Sequence, residues 1–162
     1  MKTLFLVRHA KSSRDDPALP DKERPLNDRG RRDAPKMAER LAKRGVKPDV
    51  IVSSPALRAL ATAELFAGKL DYDVKDIVVD QRLYAAAPDD LLAVVHGLSD
   101  ASHRVMLFGH NPEMTELAHR LSSKIVDMPT CAVAEFRFDT RSWSRVGEDA
   151  PVEATLSSPK RS

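Results

Sequence analysis

The sequence is short of several things, and each shortage removes a class of protein. It has one cysteine, Cys131, in 162 residues. No internal disulfide can form, and a reducing compartment is the simplest setting. No feature around Cys131 favours a nucleophile over a small buried apolar side chain. Charge of one sign is also lacking: the formal net charge is only +2, so nothing demands nucleic acid as a partner. No apolar run is long enough for a signal peptide or a membrane span. A cytoplasmic setting without a membrane partner is therefore the default expectation. No His-Glu-x-x-His motif occurs, and no metal cage is read from the sequence. No internal repeat is visible.

What is present fits one folded domain. Apolar residues make up 42% and charged residues 31%, which is a globular balance and not a disordered one. Arginines are frequent towards the N-terminal half, which suits an anionic ligand.

The chain opens on Thr3-Leu4-Phe5-Leu6-Val7, a short apolar run that ends abruptly in Arg8-His9. Such a run predicts a strand buried on both faces, hence a parallel sheet covered by helices. A polar stretch with Pro17, Pro20 and Pro25 follows. Prolines at that density exclude a helix, and so long a loop in a small domain is usually functional. Asn27 is placed to cap a helix running to about residue 44, with Ala34, Met37, Ala38 and Leu41 at helical spacing. Gly45 ends it.

Further strands are expected at 49–53, 77–79 and 104–108, and further helices at 54–70, 88–98 and from Asn111-Pro112 onward. Pro55 suits the first turn of the second helix. The alternation argues an α/β fold: a three-layer sandwich, mostly parallel central sheet, helices on both faces. Residues 132–138 and 141–146, joined by Asp139-Thr140, are expected to add a C-terminal hairpin. The expected domain spans 1–147. Residues 148–162, poor in large apolar groups, read as a loose tail.

Ligands of open α/β sheets bind outside the carboxyl ends of the strands. The first strand delivers Arg8 and His9 there. The second leads through Ser53-Ser54-Pro55-Ala56-Leu57 to Arg58, and the fourth ends in Gly109-His110. Two arginines, two histidines and two helix N-termini then converge on one edge. Guanidinium forks match phosphate oxygens, and helix N-termini offer free N–H groups. Such a pocket suits a dianionic tetrahedral group. A neutral imidazole can carry a phosphoryl group covalently, and arginines can stabilise the transfer without a metal or other cofactor.

Four stretches, in this order, resemble the histidine phosphatase superfamily, the phosphoglycerate mutase-like proteins. They are Arg8-His9-Ala10-Lys11-Ser12, Arg24-Pro25-Leu26-Asn27-Asp28-Arg29-Gly30, the run from Ser53 to Ala63, and Gly109-His110-Asn111-Pro112. The short length and the Arg-His-Ala-Lys-Ser opening resemble the compact SixA-like branch of phosphohistidine phosphatases. The resemblance implies His9 as the phosphorylated nucleophile, with Arg8, Arg58 and His110 binding the phosphoryl group. It places Ser12 and Asp15 at the serine and asparagine positions of the family's opening pattern, and it makes Arg24 a further candidate for substrate binding.

Two departures stand out. Ala10 replaces the usual glycine, a small change if φ there is negative. Where mutases and ester phosphatases of the family carry a glutamate general acid, this chain has Gln81, judged by its spacing to Arg82 and Tyr84. A glutamine cannot donate a proton as a carboxylic acid does. An alkoxide leaving group needs such help more than an imidazole does, so the substitution favours a P–N bond, with Asp80, Asp15, Asp16 or Glu113 as the other acids to weigh. The expected partner is a phosphorylated protein, such as a phosphohistidine phosphotransfer domain. The alternatives are a small-molecule phosphomonoesterase and a non-catalytic phosphoprotein-binding module. Tyr84 and Trp143 are expected to serve packing.

Overall fold

The computed structural model describes residues 1–160. Its elements, in chain order, are β1 (Lys2–Arg8), α1 (Asp28–Lys43), β2 (Val50–Ser53), α2 (Leu57–Lys69), β3 (Val78–Val79), α3 (Pro88–His96), β4 (Arg104–Gly109), α4 (Glu113–Leu121), β5 (Val133–Phe138) and β6 (Glu153–Ser157). They build a six-stranded sheet of order β3-β2-β4-β1-β5-β6. β1 to β4 run parallel to one another, while β5 pairs antiparallel with both β1 and β6. No helix among the described residues is long and apolar enough to cross a membrane.

The strand period of two splits the core. Leu4 and Leu6 of β1 join Leu107, Leu91, Val94 and Leu117 on the α3 and α4 side. Phe5 and Val7 join Phe108, Met37 and Phe66 on the α1 and α2 side. The sheet is thus covered on both faces, which is why its central strands read as unbroken apolar runs. Each fully buried Leu or Phe contributes about 1.5–3 kcal/mol by leaving water. The Asn27 cap forms as its residue type predicts, the side chain accepting from the Gly30 amide at 2.9 Å.

Three expectations need correction. Residues 141–146 form no strand; they hold a short 3-10 helix, Trp143–Arg145. Trp143 is fully buried. Its indole N–H donates to the Ser102 carbonyl at 2.8 Å, and its amide donates to Asp100 Oδ1 at 3.0 Å. Burying the indole turns the chain away from β5. The strand partner comes instead from the expected loose tail, as β6, with Glu153 opposite Arg137 and Ser157 opposite Val133. Backbone pairing and an Arg137–Glu153 ion pair at 3.4 Å hold it, and neither depends on large apolar side chains. Finally, Pro55 lies ahead of α2, whose N-cap is Ala56.

Candidate active site

The carboxyl ends of β1, β2 and β4 open onto one cavity of about 650 Å³. Arg8, His9, Ser12, Asp15, Arg24, Arg58 and His110 all line it. His9, Arg24, Arg58 and His110 are only 6–9% exposed. Asp15 sits on the exposed rim, where its amide bonds Ser13 Oγ at 3.1 Å and its carboxylate meets none of the buried groups.

The sheet itself holds His9 in place. Its amide donates to Gly109 O at 3.0 Å on one side, and its carbonyl accepts from the Cys131 amide at 3.0 Å on the other. The next residue is pinned as well. Ala10 N donates to Thr62 Oγ1 at 3.0 Å, and that hydroxyl donates to Arg58 O at 2.8 Å. Ala10 is fully buried and is not among the residues with positive φ, so the alanine fits without strain.

The His9 ring has a defined tautomer. Nδ1 lies 2.7 Å from the Ala10 carbonyl oxygen. A carbonyl only accepts, so Nδ1 carries the proton and Nε2 keeps its lone pair. Burial, with Arg58, Arg8 and Arg24 nearby, lowers the His9 pKa to about 4. Burial, His9 and Arg58 lower that of His110 to about 3. Both rings are neutral at pH 7. Their centroids are 5.2 Å apart. His110 Nε2 lies 2.8 Å from Ser54 Oγ, which accepts from the Ala56 amide at 3.2 Å. Burial pushes the Cys131 thiol up to about 12, so it is no thiolate beside the site.

The arginines are tethered but not saturated. Arg8 Nη1 donates to Met128 O at 2.9 Å. Arg24 Nη1 donates to Ser12 Oγ at 2.8 Å, so these two lining residues hold each other. Arg8 Nε, Arg58 Nε and His110 Nδ1 are buried without a hydrogen-bond partner. Buried groups of this kind are rare in folded proteins.

Sequence reasoning missed Asp21. It lies in a 3-10 helix, Asp21–Glu23, in the long loop after β1. Its carboxylate accepts from Arg24 Nε at 3.1 Å, Arg58 Nη2 at 3.0 Å and the Tyr84 hydroxyl at 2.6 Å. Those bonds hold it well below the usual carboxylate range, Tyr84 contributing most. Tyr84 does not line the cavity, but it packs edge-on to His110 at 5.6 Å and, beyond packing, braces the site through its hydroxyl on Asp21. The Asp21–Arg24 spacing of three was visible in the sequence, whereas the contacts to Arg58 and Tyr84 cross the chain and carry no local signature.

The other acids lie elsewhere. Gln81 is exposed in a 3-10 helix, Gln81–Leu83, and neither it nor Asp80 lines the cavity. Asp80 pairs with Arg82 at 2.7 Å, which lowers its pKa. Glu113 is buried and accepts from the Ala86 amide at 3.2 Å. Among the described residues, no group of three or more His, Cys, Asp or Glu is placed to hold a metal ion.

The chain resembles known proteins in sequence and in fold. Residues 4–84 match the histidine phosphatase superfamily, branch 1. An uncharacterised chloroplastic protein of Arabidopsis thaliana is 32% identical over 151 residues, covering 88% of this chain and 69% of that protein. A solved structure described as a candidate phosphohistidine phosphatase SixA, from Agrobacterium tumefaciens, superposes with a TM-score of 0.80 at 25% identity, over 95% of this chain and 97% of that one. The protein histidine phosphatase SixA complexed with tungstate shares the fold with a TM-score of 0.80 at 24% identity, over 98% and 97% of the two chains. A mycobacterial glucosyl-3-phosphoglycerate phosphatase shares it more loosely, with a TM-score of 0.64 at 17% identity over 98% of each chain.

Proposed function

Because the chain belongs to the histidine phosphatase superfamily, we propose that it hydrolyses phosphohistidine on a protein, through a phosphoryl group carried on its own His9. The observation that carries this reading is the His9 tautomer. With Nδ1 bonded to Ala10 O, the free lone pair of Nε2 belongs to a neutral imidazole in a cavity lined by Arg8, Arg24 and Arg58.

In the first step Nε2 attacks phosphorus while the P–N bond of the substrate breaks. The substrate's phosphoimidazole enters with its other nitrogen already protonated from solvent, so the ring takes the electron pair of the broken P–N bond and leaves neutral. In the second step water attacks phospho-His9, inorganic phosphate departs, and Nε2 regains its lone pair. Guanidiniums and the His110 ring meet the oxygens throughout, an electrostatic task that fixed donors perform well. No metal is invoked, because three guanidiniums supply the positive charge.

The preference for P–N over P–O bonds rests on the acids. Gln81 and Asp80 stand outside the cavity, and Asp21, the carboxylate set among its arginines, is held as an anion. An alkoxide would leave such a site poorly, while an imidazole leaves with less help. The SixA names of two structural neighbours support the same substrate class.

Two measurements test the reading. Acid-labile phosphate should be trapped on the wild-type chain and not on His9→Ala, whose turnover should fall by roughly a thousandfold or more. Full hydrolysis by His9→Ala would refute the mechanism. Rates on a phosphohistidine-bearing protein should also exceed those on common phosphate esters; the reverse order would reassign the substrate to a small phosphomonoester.

A further inference from the structure

A pocket built for an anion contains an anion. Asp21 is fastened there from three segments of chain: Arg24 in its own loop, Arg58 in the first turn of α2, and Tyr84 beyond β3. Its backbone carbonyl accepts as well, from Arg58 Nη1 at 2.7 Å. A carboxylate in this place repels a phosphoryl group. Neutral acceptors could tether the same guanidiniums, as the Met128 carbonyl does for Arg8 and the Ser12 hydroxyl for Arg24. The negative charge itself must therefore have a use.

The charge count suggests one. Arg8, Arg24 and Arg58 line the floor of the cavity with two neutral histidines. Three guanidiniums and one carboxylate leave a surplus of two positive charges. The phosphate freed beside a neutral His9 carries about one and a half to two negative ones at pH 7. The Asp21 side chain is itself 52% exposed, but it pairs with Arg58, whose side chain is only 7% exposed; at the rim, Lys11, Arg14 and Arg29 stand against Asp15 and Asp28, where solvent and salt screen them.

Resting on the phosphoryl-pocket reading above, we infer that Asp21 is a built-in counter-anion: it matches the floor's charge to that of the transferred group and so limits how tightly the freed phosphate is held. Asp21 does not take every donor of the site: Arg8 Nη1 is bonded to Met128 O and Arg24 Nη1 to Ser12 Oγ. Without Asp21 the floor would over-bind the product, and phosphate release would slow turnover. A residue that only positioned the arginines would behave oppositely, since its loss would weaken phosphate binding.

The test is calorimetric titration of inorganic phosphate into wild-type protein, Asp21→Asn, Asp21→Ala and Asp21→Glu at pH 7. Asp21→Asn should bind phosphate roughly tenfold tighter, and its turnover should become more sensitive to added phosphate. Asp21→Ala makes the same test if the asparagine variant fails to fold. Asp21→Glu keeps the charge and should stay near wild type. Equal or weaker affinity in the neutral variants overturns the inference, and so does equal tightening in Asp21→Glu. If the wild type itself binds no phosphate, the phosphoryl-pocket reading fails instead, which separates the two failures.

Discussion

His9 and His110 are neutral for a reason that pH can probe. Burial and the neighbouring arginines hold the His9 pKa near 4, against 6.5 for a free imidazole. A lowered value leaves the His9 ring unprotonated above about pH 4. The kcat/KM profile is therefore expected to stay high through pH 6 and to fall on an acid limb approaching 4. A limb centred near 6.5 would mean that burial does not set the protonation. The same shift acts on stability. Between pH 6.5 and 4 the unfolded chain binds more protons at this residue, so stability should decline as pH falls through that window.

His110 depends on a single neighbour. Ser54 Oγ accepts from the Ala56 amide, which frees the hydroxyl proton for His110 Nε2, 2.8 Å away. The remaining ring proton then sits on Nδ1, the atom without a partner. Ser54→Ala should let the ring change tautomer and lower kcat/KM roughly tenfold, the equivalent of one hydrogen bond at about 1.4 kcal/mol. An unchanged kcat/KM would remove Ser54 from the positioning of His110.

At the scale of elements, α1 and the loop after β1 are fitted to each other at Gly30. A Cβ there would meet Lys11 O at 2.1 Å, two residues beyond His9. Replacing glycine inside a helix normally gains up to about 1 kcal/mol. Here overpacking against fixed backbone costs about 1–3 kcal/mol and decides the sign. Gly30→Ala should lower the unfolding midpoint and reduce kcat together, as read by thermal melts and initial rates. The elements that position the site were the legible ones. β1, β2 and β4 announce themselves as apolar runs, and Asn27 as a cap, because burial on both faces and capping are local demands. β6 was hidden because an edge strand needs only backbone pairing, and its Glu153, Thr155 and Ser157 read as tail. Asp21 was hidden because its meaning lies in Arg58 and Tyr84, far away in sequence.

For the whole molecule, β6 closes one side of the sheet by pairing with β5. Truncation after Pro151 would leave β5 as an unpaired edge next to a large core, an arrangement that promotes self-association. The truncated chain should melt about 5 °C lower or more and scatter light at concentrations where the full chain is clear.

The two backbone bonds of His9, one to Gly109 and one from Cys131, have a thermodynamic consequence. His9 is a rung shared by β4, β1 and the approach to β5, so it cannot loosen without parting the middle of the sheet. Its amide hydrogen should exchange with deuterated solvent only through global unfolding. Heat should then remove catalysis and structure in one transition, and residual activity during a melt would count the folded molecules directly.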